Sequence, residues 1–294
     1  MSGGFALAPR RGRGRPLRAL SLALIGLALL LSGSDATRAA DDTGVAERIR
    51  TLLAGEHRAP EHKARDVYRH PLETLTFFGI RPDMTVVELW PGAKGWYTEI
   101  LAPLLQENGK LYAAGYDRES DNAYLERSTA EFAQKLASRP DLYARVAMTE
   151  LAPGKFDFAP QGSADLVLTF RNVHNWMKDG YAQEVFDAAY RALKPGGALG
   201  VVEHRADPGT PQAEDSTAKS GYVSEARVIG FAADAGFVLL SRSEINANPK
   251  DTKDHPKGVW TLPPALALGD EDRDKYLAIG ESDRMTLLFV KPAD

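Results

Sequence analysis

The run Thr85-Val86-Val87-Glu88-Leu89 breaks at Trp90-Pro91-Gly92-Ala93-Lys94-Gly95 and resumes from Trp96 with the apolar spacing of an amphipathic helix. A strand that feeds a glycine-bearing turn and then a helix aims backbone N–H groups and a helix N-terminus into the crevice above the strand. Some ~20 residues past the turn, a second apolar run, Leu111 to Tyr116, ends on Asp117. An acidic side chain at that spacing accepts hydrogen bonds from ribose hydroxyls in doubly wound folds. The pairing restricts the chain to an α/β sheet with a crevice at its strand tips, and it makes an adenosine-type ligand the leading expectation.

Periodicity along the chain agrees with that restriction. Strands are predicted near 84–89, 110–116, 145–149, 165–170, 198–203, 237–243 and 285–291, and helices near 45–55, 72–78, 96–106, 121–138, 179–193 and 221–236. Alternation of strand and helix implies a mostly parallel sheet covered on both faces, and Leu166-Val167-Leu168-Thr169-Phe170 accordingly lacks a polar face. Lys194-Pro195-Gly196-Gly197 reads as a turn that ends a helix before a buried strand. A connection of ~40 residues, about 245–284, precedes the last strand. Trp260, Leu262 and Tyr276 mark it as an ordered lid, since a solvated linker seldom carries such side chains.

Residues 1–40 differ in kind. Arginines at 10, 11, 13, 15 and 18 precede an apolar stretch, Ala19 to Leu31, and the small-residue run Ala36-Thr37-Arg38-Ala39-Ala40. This is the pattern of a cleaved export signal with its site near Ala39 or Ala40, too short in its apolar part to span a bilayer. The expectation is a periplasmic or secreted protein of one domain, 41–294, without stable membrane insertion. The six arginines and one aspartate of residues 1–40 come out of a chain with 36 basic and 40 acidic residues, so the remainder is acidic and nucleic acid is not an expected partner. There is no cysteine, which excludes disulfides, thiolate metal sites and a cysteine nucleophile.

The ordered set Val86-Val87-Glu88-Leu89 with Gly92 and Gly95, then Asp117, then Asp165 to Phe170, then Leu193-Lys194-Pro195-Gly196-Gly197 resembles the class I S-adenosylmethionine-dependent methyltransferases over roughly residues 65–291. Arg69-His70-Pro71, Trp90-Pro91-Gly92, Arg171 to Trp176, Gly258 to Pro264 and Glu281-Ser282-Asp283-Arg284 look like an exported branch of predicted methyltransferases. The resemblance implies a Rossmann-like seven-stranded sheet with only the last strand antiparallel, an N-terminal helical cover and S-adenosyl-L-methionine as cofactor. By resemblance, Glu88, Trp90, Gly92, Gly95, Asp117 and Asn172 would hold the cofactor, and His174, Glu203 and Tyr222 would face a small-molecule acceptor. The family's first motif is acidic-x-Gly-x-Gly-x-Gly; here Trp90 stands at the first glycine position, and Lys94 at the third, with Gly95 one step late.

Several residues carry two readings. Glu88 holds the loop, a methionine ammonium, or both. His174 is a base beyond the fourth strand or a structural histidine bonded to a loop. Glu203-His204 ends the fifth strand at the same edge, yet the histidines lie on separate loops without a metal-ligand spacing, so no resident metal is expected. Asp251, Asp254 and His255 read as a polar lid loop. Arg65-Asp66-x-x-Arg69-His70-Pro71-x-Glu73 is either an acceptor wall or a surface ion-pair network. The overall expectation is methyl transfer to a small acceptor in the cell envelope; the alternative is a non-catalytic ligand-binding protein that kept the fold.

Overall fold

The computed structural model describes Met1, residues 43–209 and residues 215–293; the segment expected to be an export signal, residues 1–40, lies, Met1 apart, outside the described residues. The chain divides into compact units at residues 1–43 and 44–294, and every element below belongs to the second. Helices α1 (residues 43–54, all but the first in that unit), α2 (Pro60–Lys63), α3 (Asp66–Arg69) and α4 (Pro71–Phe77) lead into β1 (Thr85–Leu89). Then follow α5 (Thr98–Leu105), β2 (Lys110–Gly115), α6 (Ala123–Ser138), α7 (Pro140–Tyr143), β3 (Ala147–Glu150) and β4 (Ala164–Phe170). The chain continues through α8 (Val173–Asp179), α9 (Ala182–Ala192), β5 (Leu193–His204), α10 (Glu225–Asp234), β6 (Val238–Ser243), α11 (Arg273–Ile279) and β7 (Arg284–Val290).

The seven strands form one sheet in the order β3-β2-β1-β4-β5-β7-β6. β1 to β5 pair in parallel, and β7 runs antiparallel to both β5 and β6. Successive β1 side chains enter opposite layers, as strand geometry requires. Val86 joins Ile100, Leu101, Leu104, Leu166 and Leu168 under the N-terminal helices, whereas Val87 and Leu89 join Val167, Trp176, Val185, Phe186 and Phe231 on the other face. The strand order reverses between β1 and β4, the point at which ligands bind in open α/β sheets.

Two local departures from the sequence expectation have clear causes. The helix predicted near 179–193 is α9, and an unpredicted helix, α8, precedes it, ended by Gly180 at φ 81° before the chain restarts at Ala182. The Lys194–Gly197 turn is instead absorbed into β5, where Leu193 pairs with Ala164 and a register shift precedes the Ala198–Leu166 pair.

The segment between β6 and β7 is ordered by internal bonds. Asp251 is buried and accepts from Tyr222 Oη (2.8 Å), His255 Nε2 (2.9 Å) and the backbone N–H of Asp283 (2.7 Å). Gly258 at φ 55° lies so close to Ser220 that an added Cβ would sit 2.0 Å from its carbonyl oxygen, while Val259 N–H donates to that oxygen at 2.9 Å. Gly258→Ala is therefore expected to unseat the lid, lowering stability by about 1–3 kcal/mol. Urea unfolding and the rate of proteolysis within 244–283 measure this; a variant unchanged in both would contradict the seating.

Candidate active site

Glu88, at the tip of β1, is buried and accepts a 2.6 Å hydrogen bond from Thr98 Oγ1 at the start of α5. Burial pushes its carboxyl up to about 7, with the Thr98 hydroxyl and then the charge of Lys135 opposing the shift, so a cation beside it would draw out its proton. After Glu88 the loop turns sharply. Trp90 takes φ 48°, Gly92 71° and Gly95 53°. Gly92 has open space where a Cβ would go, while a Cβ on Gly95 would lie 2.8 Å from Phe132 of α6. Gly92 thus faces a cavity and Gly95 permits packing beneath the loop.

Trp90 is half-buried, and its Nε1–H donates to Leu151 O at 2.8 Å. Leu151 follows β3, and β2 lies between β1 and β3, so the indole crosses the tip of β2. There it meets Tyr116 edge-on at 4.8 Å, Trp176 at 5.8 Å and Tyr181 at 6.4 Å. On the other flank of the loop, the space between Gly115, Ser128, Phe132 and Met148 is about 10 Å³, room for roughly one water. Asp117 accepts from Lys155 Nζ at 2.7 Å and from Glu119 N–H at 2.9 Å. The lysine, then the Glu119 amide, hold its carboxyl below the usual carboxylate range. The expected open hollow for adenosine is therefore spanned by an indole, and the carboxylate beside it is held by a lysine.

Open space lies on the other side of Trp90. A cavity of about 240 Å³ runs over the tips of β1, β4 and β5, with Glu88, Gly92, Asn172, His174, Arg171 and Trp260 among its walls. Asn172 Nδ2 donates to Leu89 O at 2.9 Å and to Thr169 Oγ1 at 3.3 Å, which ties the tips of β1 and β4 together. Trp260 reaches in from the lid, its ring 5.9 Å from that of His174.

His174, in the first turn of α8, and Glu203, near the end of β5, meet inside this wall. Glu203 is fully buried and accepts from His174 Nδ1 (3.0 Å), His174 N–H (3.3 Å) and His204 N–H (2.8 Å). A carboxylate only accepts, so Nδ1 carries the hydrogen, and in the neutral ring the lone pair is then on Nε2. The ring of His204 is 5.3 Å away, and its Nδ1 bonds Ser282 Oγ. Burial, then the facing His174 and three arginines, push His204 well below the usual histidine range, leaving it neutral. His174, Glu203 and His204 offer ligand atoms within 4.8 Å of one another. Three N–H donors already occupy Glu203, however, and nearby guanidiniums repel a dication, so this set suits a hydrogen-bonded dyad better than a metal centre.

Tyr222 is not brought to this cavity; its hydroxyl donates to Asp251 at 2.8 Å in the lid. Lys94 is exposed beside Glu131, and Trp96 and Tyr97 are buried packing groups. Arg65 and Arg69 do not remain at the surface: both pair with buried Glu281, as does Arg284 through a short hydrogen bond. Sequence reasoning used Glu281 and Arg284 only as marks of resemblance, and Trp260 otherwise only as a sign of an ordered lid. The one available signal for the first two was a charged tetrapeptide, Glu281 to Arg284, abutting an apolar strand.

No protein-family model matches the chain, and no curated protein matches it in sequence. Solved structures do resemble it. A SAM-dependent methyltransferase from Aquifex aeolicus shares 17% identity over 84% of this chain and 98% of its own, at a TM-score of 0.52. The [4+2]-cyclase SpnF shares 15% identity over 82% of this chain and 86% of its own, at 0.56. Phosphoethanolamine N-methyltransferase 2 of Haemonchus contortus, solved with S-adenosyl-L-methionine, shares 18% identity over 85% of this chain and 57% of its own, at 0.51. A methyltransferase and a cyclase on one scaffold show that the likeness concerns the fold and leaves the chemistry to the site. The chain has the class I SAM-dependent methyltransferase fold, a Rossmann-like mixed sheet of seven strands with only β7 antiparallel.

Proposed function

We propose that the protein transfers a methyl group from S-adenosylmethionine to a small acceptor, with His174 taking the acceptor's proton. The observation that carries this reading is the His174–Glu203 pair, set in the cavity wall at the sheet's switch point. The cofactor would supply a methyl carbon already activated on sulfonium. Glu88, Gly92 and Asn172 fit its amino-acid half: a carboxyl that a cation would ionise, an open glycine and a braced amide. Its nucleoside half fits only with the Trp90 ring turned off Leu151, after which Asp117 is the acceptor for ribose hydroxyls.

His174 Nε2 receives the proton as the acceptor's oxygen or nitrogen bonds the methyl carbon, the sulfur keeping the departing electron pair. Glu203 holds the ring and stabilises the imidazolium that forms. Trp260 and the lid exclude water, which keeps the acceptor's lone pair free for attack. The export-signal reading places this reaction in the cell envelope, periplasmic or secreted. The test is release of S-adenosylhomocysteine from S-adenosylmethionine with a panel of small hydroxy acids and amines. Turnover with one acceptor supports the proposal; none across the panel counts against it.

A second reading, ligand binding without the cofactor, is favoured by the Trp90–Leu151 bond and the Asp117–Lys155 pair. Trp90→Gly separates the two. It removes the indole and suits φ 48°, a conformation that costs an ordinary residue about 1 kcal/mol. Under the first reading the wild-type protein binds S-adenosylhomocysteine and the variant binds it at least about tenfold more tightly. Binding by the variant alone assigns the wild-type protein to the second.

A further inference from the structure

Arg65, Arg69 and Arg284 converge behind the cavity on a single carboxylate, Glu281, and a fourth arginine, Arg171, lines the cavity without pairing to it. Arg65 Nε donates to Glu281 Oε1 at 2.5 Å, Arg284 bonds Oε2, and Arg69 Nε stands 3.6 Å from Oε2. Arg284 also donates to Tyr68 O at 2.9 Å. Two of the four guanidiniums line the cavity, those of Arg69 and Arg171. Arg69 is only 4% exposed, lies 4.5 Å over the Trp96 ring, and its guanidinium makes no hydrogen bond to the protein among the described residues. The Arg171 guanidinium has neither a hydrogen bond nor an ion pair there.

Four guanidiniums against Glu281 and, in the same wall, the Glu203 carboxylate held by His174 leave uncompensated positive charge in a poorly solvated wall, which is costly unless an anion completes it. Glu88, the one carboxyl among the described residues that line the same cavity, is pushed up to about 7 by burial, so it does little to cancel that charge. Backbone strain falls at the same place. His70 (φ 40°), next to Arg69, and Arg171 (φ 62°) hold a left-handed conformation without being glycine. Arg171 N–H is anchored to Val202 O at 2.7 Å. Such strain persists where the surrounding structure fixes a side chain for use.

We propose that Arg69 and Arg171 form an oxyanion clamp that binds the carboxylate of a small organic acid inside the cavity, within reach of His174. A planar guanidinium fork matches a carboxylate in two parallel hydrogen bonds, and about 240 Å³ suits an acid of a few carbons. The proposal names the acceptor class for the methyl-transfer reading and rests on this cavity being the acceptor site. Its test measures binding without S-adenosylmethionine, so its failure and the failure of that reading are separate results.

The experiment is calorimetric titration of the protein with lactate, neutral lactamide and inorganic phosphate. Lactate is expected to bind, and lactamide at least about tenfold more weakly, because the charge-assisted hydrogen bonds are lost. Arg171→Gln should lose at least about tenfold for lactate and Arg171→Lys less, while Arg139→Gln, an exposed residue paired with Asp141, should bind as the wild type does. Circular dichroism confirms that each variant is folded. No heat with lactate, equal affinity for lactamide, binding of phosphate with lactate inert, or an Arg171→Gln variant that binds undiminished would each overturn the clamp.

Discussion

Replacing Glu281 with glutamine is expected to destabilise the protein by about 3–5 kcal/mol, the usual cost of removing one partner from a buried ionic network. Glu281 is 2% exposed and is the one carboxylate shared by Arg65, Arg69 and Arg284. Glutamine keeps the volume but returns no charge, so the guanidiniums face one another in a medium that screens them poorly. Those arginines outweigh its burial and hold the Glu281 carboxyl far below its ordinary value of 4.5. A depressed folded-state value means that the stabilisation is complete above about pH 4.5 and is lost as pH falls toward the folded value. Urea midpoints at neutral pH and along an acid series measure both effects. The wild type should lose stability below pH 4.5 more steeply than the variant, and a variant within about 1 kcal/mol of wild type at pH 7 would contradict the account of the cluster.

Replacing His174 with alanine is expected to lower kcat for methyl transfer by about 10²–10⁴-fold, the ordinary contribution of a positioned general base. KM for S-adenosylmethionine should barely move, because the ring faces the acceptor side of the cavity. Glu203→Gln tests the same pair through the ring's orientation. A carboxamide can present an N–H to Nδ1, which would move the hydrogen to Nε2 and remove the lone pair that the reaction needs. Activity in this variant should fall at least about tenfold and recover partly in Glu203→Asp. A His174→Ala enzyme within threefold of wild type would show that the acceptor loses its proton elsewhere.

The positions of the strands and their mostly parallel run were legible because each apolar run is short, bounded by turn residues and spaced by a helix, whereas the one antiparallel strand came only from the family resemblance. The β1 turn and the Asp117 spacing located the switch point of the sheet for the same reason. Helix α8 was not read from the sequence: Val173, Trp176 and Met177 do fall at helical spacing, but over so short a stretch that a loop fits as well, and its fold depends on Trp176 burying completely beneath Trp90. Nor was the direction of the Trp90 ring, which is set by a carbonyl 61 residues further on. Glu281 meets Arg65 across 216 residues, and no local pattern in either segment announces the other. The resemblance set Tyr222 facing the acceptor, but Asp251 of the lid takes its hydroxyl, a contact that exists only once the long connection has docked.

The central claim is that a site spanned by Trp90 still opens to S-adenosylmethionine. Calorimetric titration of the protein with S-adenosylmethionine and S-adenosylhomocysteine tests it most directly. The account predicts saturable heat with both, at micromolar affinity, together with proton release near pH 7 as a cation settles beside Glu88. No heat with either ligand from folded protein would contradict it and leave the methyltransferase fold without its cofactor.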